Sequence, residues 1–325
     1  MLEISKGELN SYSKFRTKLG EHVQNLREYV MKISGIDFSI QELCKLVLSV
    51  CRCNDFNVIS LQGNKMFLNE ENVFSWAKEK LIPNTITLRL DDEDIVRLLI
   101  FCIEITYQMF SGGTKATISQ KGSREQKRTF DKIIVDQFNG KFGEIVVKKF
   151  LERNFPTKIE LDWEISPKIK KYKNDIVNAN RNVSIKSSPS IAGIWAEADI
   201  GYDYGINVKC FIPQPLILQF FIEVCGFTRL LDFAEGKIPS SNGRFKGYLE
   251  EMRKRIKAYK CGEIKTNLKG FVSGYFKTSE YTPIKKDVKL PYLGKVNEER
   301  YLVQINELRY RIDDWAKLLR ECKLL

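Results

Sequence analysis

Histidine is nearly missing from this chain: one residue, His22, among 325. That count excludes metal sites and acid–base pairs that need two imidazoles. Any catalysis must then rest on carboxylates, lysine, tyrosine, serine or cysteine. Long apolar runs are missing too. No stretch approaches the ~20 residues needed to cross a bilayer, and the opening MLEISKGELNSYSK carries no apolar leader segment. No G-x4-G-K-[ST] phosphate loop occurs, which argues against an ATP-driven motor and a nucleotide cofactor. Cysteine occurs eight times without a framework. Cys44, Cys51 and Cys53 form the one close group, spaced C-x6-C-x-C, unlike the paired C-x2-C of a zinc site. The expectation is a soluble, cytoplasmic protein with buried free thiols.

Positive charge is what the chain has in excess. The net charge is +12, and a hydrophobic fraction of 43% is ample for a core. Between Lys237 and Leu290, fourteen Lys/Arg stand against five Asp/Glu, interleaved with Phe245, Tyr248, Tyr259, Phe271, Tyr275, Phe276 and Tyr281. Cations for phosphates and flat rings between them predict a nucleic-acid surface over 237–290. Candidate contacts are Arg181, Ser187, Ser188, Lys209, Arg244, Lys246, Arg253 and Arg255.

Periodicity divides the chain. Leu9, Tyr12, Phe15, Leu19, Val23, Leu26, Val30 and Ile33 fall at helical spacing. Ser39 caps a second helix to about Cys53, FNVISLQGNKMFL turns at Gly63–Asn64, and two more helices follow from Asn69 and from DDED. Residues 1–112 read as a mostly helical unit for dimerisation or recognition, and 113–128 as a basic linker. From 129 the pattern becomes α/β: the helix KFGEIVVKKFLERNF, four strand candidates (KIELDWEI, DIVN, VSIKS, GINVKCFI), then the apolar helix LILQFFIEVCGFTRLLDF. The fold class is α/β, a mixed sheet flanked by helices. Tyr301, Ile305, Leu308, Ile312, Trp315, Leu319 and Cys322 recur at 4, 3, 4, 3, 4, 3. Over 291–325 this predicts a heptad helix, either a homodimer seam or a helix packed on the N-terminal unit.

The stretch NDIVNANRNVSIKSSP, residues 174–189, places charges inside two short apolar runs. A hairpin turning between Asn180 and Arg181 would pair Asp175 with Lys186 and Ile176 with Ile185. Val183 and both isoleucines would then pack inward, with Asp175, Ser184 and Lys186 on the other face. A carboxylate beside an ammonium suits metal-assisted phosphodiester hydrolysis. The acid binds Mg²⁺ and the amine orients water or stabilises developing charge. As an ordinary surface pair it would contribute under ~1 kcal/mol.

These residues resemble the PD-(D/E)XK nuclease superfamily, the fold of most type II restriction endonucleases. The resemblance covers roughly residues 128–235. It implies a restriction-endonuclease-like sheet over 129–290, with Asp175 as metal ligand (Asn174 standing where Pro is usual), Lys186 as catalytic lysine and Glu144 as a helix-borne acid. Ser184 departs from the acidic residue of the acidic-x-Lys element. The missing carboxylate would come from Glu144, Glu197 or Asp199, with Ser184 acting through a water and the Ile185 carbonyl helping. Asp162 is a weaker rival for Asp175. The implied activity is Mg²⁺-dependent, sequence-specific cleavage of double-stranded DNA to 5′-phosphate and 3′-hydroxyl ends by a homodimer. The alternatives are a non-catalytic regulator with a winged-helix-like reader, and a structure-specific repair nuclease on the same fold.

Overall fold

The computed structural model describes residues 2–110, 119–120, 126–127, 130–164, 174–188, 190–213, 216–223 and 266–325, with single positions between 232 and 254. A short strand β1 (Leu2–Ile4) precedes three helices, α1 (Lys6–Asn10), α2 (Tyr12–Ser34) and α3 (Ile40–Cys53). Ser39 caps α3 as expected, its hydroxyl accepting from Glu42 N–H while the Glu42 carboxylate takes Ser39 N–H. The predicted stripe of α2 faces inward at Phe15, Leu19, Val23, Leu26 and Val30, whereas Ile33 near its end is exposed. Strands β2 (Ile59–Gln62) and β3 (Lys65–Leu68) form the expected hairpin around Gly63–Asn64, and β3 also pairs with β1. Helix α4 (Glu70–Trp76) runs on into a wider turn over Ala77–Leu81.

The chain then enters a four-stranded mixed sheet. Strand β4 (Thr85–Arg89) is followed by α5 (Glu93–Phe110), the two-residue strands β5 (Ser119–Gln120) and β6 (Gln126–Lys127), and the long helix α6 (Phe130–Asn154). Strands β7 (Val183–Ser188), β8 (Trp195–Asp199) and β9 (Tyr204–Phe211) come next, then α7 (Leu216–Glu223) and β10 (Asn267–Lys277). The order is β4–β10–β9–β7, antiparallel except for β7, which lies parallel to β9 at one edge. Every residue of β9 is buried, as a central strand covered on both faces requires.

Helix α6 covers one face with Ile134, Phe138, Phe142, Ile145, Val146 and Phe150. The other face carries the N-terminal helical core, which reaches Phe211 and Phe271, and a third cluster of Ala196, Ala198, Phe276, Val303 and Ile305. Six cysteines, Cys44, Cys51, Cys53, Cys102, Cys210 and Cys322, are free and buried, as expected. No helix among the described residues is long and apolar enough to cross a membrane.

The structure corrects several expectations. Over the described residues 158–164 and 175–178, KIELDWE and DIVN do not form strands, and their pairing shrinks to one antiparallel bridge, Leu161 to Ile176. Strand β10 instead rises from the basic segment, so Phe271, Tyr275 and Phe276 are core residues, not rings on a nucleic-acid surface. The 291–325 heptad helix is also absent. Tyr301 lies on strand β13 (Arg300–Gln304), which pairs with β8, and α8 spans only Ile312–Glu321. The seven-residue rhythm ran across strand, turn and helix. Trp315, Leu318, Leu319 and Cys322 are buried within the chain's larger core, with Trp315 against Phe150 and Tyr275, so they supply no dimer seam. Finally, β4 and α5 precede the expected linker yet pack in that same core.

Candidate active site

Strand β7 borders the sheet, so its outward peptide groups need partners from elsewhere. The residues just before it supply them. Asn174 Oδ1 accepts from Val183 N–H at 2.9 Å, and Asp175 N–H donates to the Val183 carbonyl at 3.1 Å. Asp175 Oδ2 accepts from Ile185 N–H at 2.6 Å. Asp175 therefore lies against Val183 and Ile185, not opposite Lys186 in a regular hairpin ladder. The two-residue turn fails because Asn side chains close the loop. Asn174 Nδ2 donates to the Arg181 carbonyl at 2.7 Å, and Asn182 Nδ2 to the Gly201 carbonyl at 3.2 Å. Ile176, Val183 and Ile185 do share the core, as the alternation requires.

Lys186 follows on β7, and its ammonium lies 2.7 Å from Asp199 Oδ2 on β8. Burial pushes the Asp175 carboxyl up. The Ile185 N–H and the charges of Lys186 and Lys141 oppose that rise, and Asp199 adds to it. Glu144 projects from α6 with only 12% of its side chain exposed, 2.6 Å from Lys141 Nζ. Burial raises its carboxyl to about 8, against the pull of Lys141 and with the help of the Asp175 and Asp162 charges. Asp175, Glu144, Lys186, Asp199 and Lys141 thus share one electrostatic neighbourhood. Lys141 was missed in the sequence, although K-F-G-E places it one helical turn from Glu144. It also donates to the Asp162 carbonyl at 2.6 Å, so Asp162 holds this lysine through its backbone, while its side chain takes Glu164 N–H.

The Glu144 shift predicts a pH dependence. Its carboxyl ordinarily titrates near 4.5 and in the fold near 8, so between those values the folded protein holds more protons than the unfolded chain. Stability should fall as pH rises through that window. Thermal melts in chelator should show the decline, and Glu144→Gln should flatten it.

Close approach of α6 to β7 fixes the site's depth. Gly143 sits in mid-helix, where glycine ordinarily weakens a helix by ~1 kcal/mol relative to alanine. A Cβ there would lie 2.8 Å from both Cβ and Oγ of Ser187, whose hydroxyl donates to the Gly140 carbonyl at 3.1 Å. Gly143→Ala is therefore expected to destabilise by about 1–3 kcal/mol instead of gaining helix propensity. Urea titration would check this, with Ser187→Gly added to restore what is lost.

Other expected residues fall elsewhere. Ser184 is fully buried, its hydroxyl without a partner, as is the amide oxygen of Asn207 on the next strand. Ser184 thus lies in the sheet interior, away from solvent. The Glu197 carboxylate is committed to Arg300 at 2.7 Å. Lys209 is not a DNA contact: it is 1% exposed and donates to Ser49 Oγ and to the carbonyls of Ile191 and Gly193 at 3.0, 2.6 and 2.8 Å. Arg253 is held by Asp232 at 2.8 Å and by Glu235, and so is already neutralised. Ser188 donates to the Ser190 carbonyl, whereas Arg181 and Lys246 are exposed. Arg244 and Arg255 lie outside the described residues, as do Phe245, Tyr248 and Tyr259.

Among the described residues, no three His, Cys, Asp or Glu side chains form a ready metal cluster. The donor set is two acids, Asp175 and Glu144, both disfavoured as anions by burial. Carboxylates are the oxygen donors a hard cation takes, and such a cation keeps several of its own waters. Comparison of the chain with protein-family models, with curated proteins and with solved structures finds no match.

Proposed function

We propose that this protein is a Mg²⁺-dependent endonuclease that cuts double-stranded DNA at a specific sequence, in the manner of type II restriction enzymes. What supports this reading is that Asp175, beside the bordering strand of the mixed sheet, interacts electrostatically both with Glu144 on α6 and with Lys186 on β7. Of the two acids raised by burial, Glu144 is paired with the Lys141 ammonium, and Asp175 feels the charges of Lys186 and Lys141, Lys186 itself being paired with Asp199. Asp175 and Glu144 would hold the ion, which when bound polarises the phosphoryl group and acidifies water. Lys186 orients water and stabilises charge at the phosphoryl oxygens. Lys141 holds Glu144 until a cation replaces it. Symmetric cutting of both strands calls for two such sites and hence a C2 dimer through a surface other than the C-terminal helix.

The test is incubation of purified protein with plasmid and phage DNA in Mg²⁺ and in chelator. Discrete fragments in Mg²⁺ alone, with 5′-phosphate ends open to ligation, are expected. Branch-dependent cutting would favour a repair nuclease. Intact DNA with tight binding would favour a regulator, for which the β2–β3 hairpin offers a wing-like element.

A further inference from the structure

Part of the positive charge expected on the DNA-facing side already has partners within the fold. Lys209 is buried, Lys269 is held by Glu42 at 3.1 Å, Lys277 by Glu321 at 2.8 Å, and Arg253 by Asp232 and Glu235. A stretch near the C-terminus carries exposed lysines. Residues 284–296, IKKDVKLPYLGKV, fold into a ribbon through strands β11 (Lys289–Leu290) and β12 (Gly294–Lys295). Lys285, Lys286 and Lys289 are exposed, and none is held by an acid among the described residues. The one acid within the ribbon, Asp287, is taken by Lys295 at 3.0 Å.

The ribbon's position gives that charge a use. At its base, Ile284 bridges Arg300, with N–H to carbonyl distances of 2.8 and 3.2 Å. Arg300 in turn pairs with Asp199 on β8, the acid that holds Lys186. At its tip, the Pro291 carbonyl accepts from Trp195 Nε1 at 2.8 Å, at the opposite end of β8, and the Arg52 guanidinium lies 4.4 Å from the centre of the Tyr292 ring. The ribbon therefore starts beside the candidate site and runs the length of β8, anchored at both ends. Exposed amines fixed on a rigid track leading from a phosphodiester-cleaving site are complementary to a polyphosphate backbone.

We infer that the 284–296 ribbon is a docking track for the sugar–phosphate backbone of duplex DNA, carried by Lys285, Lys286 and Lys289. This rests on the proposed DNA substrate but is separable from hydrolysis, because contacts to phosphate position the duplex without reading sequence. The loss on mutation should be the same for every sequence, and it should be electrostatic.

The experiment measures binding of a labelled 30-base-pair duplex in chelator, so that no cleavage intervenes, over a series of salt concentrations. The triple variant Lys285→Gln, Lys286→Gln, Lys289→Gln should bind at least about tenfold more weakly at 0.1 M salt. The slope of log affinity against log salt should become shallower by about two to three, close to one per lost phosphate contact. The triple Lys→Arg variant should bind like wild type. A Gln variant with unchanged affinity and slope overturns the track alone. Wild-type protein that binds no DNA overturns both the track and the proposed function. A track confirmed in a protein that never cuts overturns hydrolysis and leaves the track standing. Preference for single-stranded RNA over the duplex overturns the assignment of the partner.

Discussion

Replacing Lys186 by alanine is expected to remove DNA cleavage while leaving DNA binding largely in place. Its ammonium projects from the middle of β7, one third exposed, 2.7 Å from Asp199, and its charge opposes the rise that burial imposes on the Asp175 carboxyl. Losing a charge aimed at the reacting phosphoryl group typically slows the chemical step by about 10²–10³-fold. Mg²⁺-supported turnover should fall by at least that much. A second effect follows from the same field. Without Lys186 the Asp175 carboxyl should titrate higher, so the acidic limb of any residual activity should move toward alkaline pH. A merely structural Lys186–Asp199 pair would give neither result. Cleavage of plasmid DNA at the wild-type rate by Lys186→Ala would sink the assignment.

The largest effect on stability is expected far from that site, at Asp55→Ala. Lys80 is 1% exposed, its ammonium 2.7 Å from Asp55 Oδ2 and 3.1 Å from the Ile305 carbonyl, with the Tyr310 ring centre 4.7 Å away. Removing the acid leaves a cation without its partner in a dry interior, which ordinarily costs about 3–5 kcal/mol. The midpoint of urea unfolding should drop accordingly, whereas breaking the exposed Lys65–Glu3 pair should hardly move it. The double variant Asp55→Leu, Lys80→Met should recover much of the loss, since neither charge is then stranded. An Asp55→Ala protein as stable as wild type would show that Lys80 finds another anion or reaches water. Asp55 and Lys80 belong to the N-terminal part while Ile305 and Tyr310 lie near the C-terminus, so this pair also joins the two.

Local signals in the sequence were read correctly where the chemistry is local. Ser39 with Glu42, Gly63–Asn64 and the α2 stripe each declare an element within a few residues. Val183 and Ile185 likewise announce a strand, although Ser184 between them is buried too. The strand β10 escaped because its lysines, Lys269 and Lys277, are neutralised by Glu42 and Glu321, acids over forty residues away in the chain. A lysine count treats such residues as surface charge. Lys209 misled for the same reason, its three acceptors being one serine hydroxyl and two loop carbonyls that no spacing rule reveals. At the candidate site, the nearness of Asp175 to the start of β7 could be read, but its register could not. Asn174, Asn178 and Asn182 replace ladder hydrogen bonds with side-chain ones, to Arg181, Lys158 and Gly201 carbonyls among others.

The arrangement of Asn174 and Asp175 along β7 has a bearing on solubility. Together they occupy the outward amide and carbonyl of Val183 and the outward amide of Ile185, groups that a foreign strand would otherwise seize. Asp175 thus acts as a gatekeeper against strand addition as well as an acid. A chain lacking it would tend toward self-association, so its inactivity would mix lost chemistry with lost monodispersity, whereas Lys186, whose side chain blocks none of those groups, allows the two to be separated.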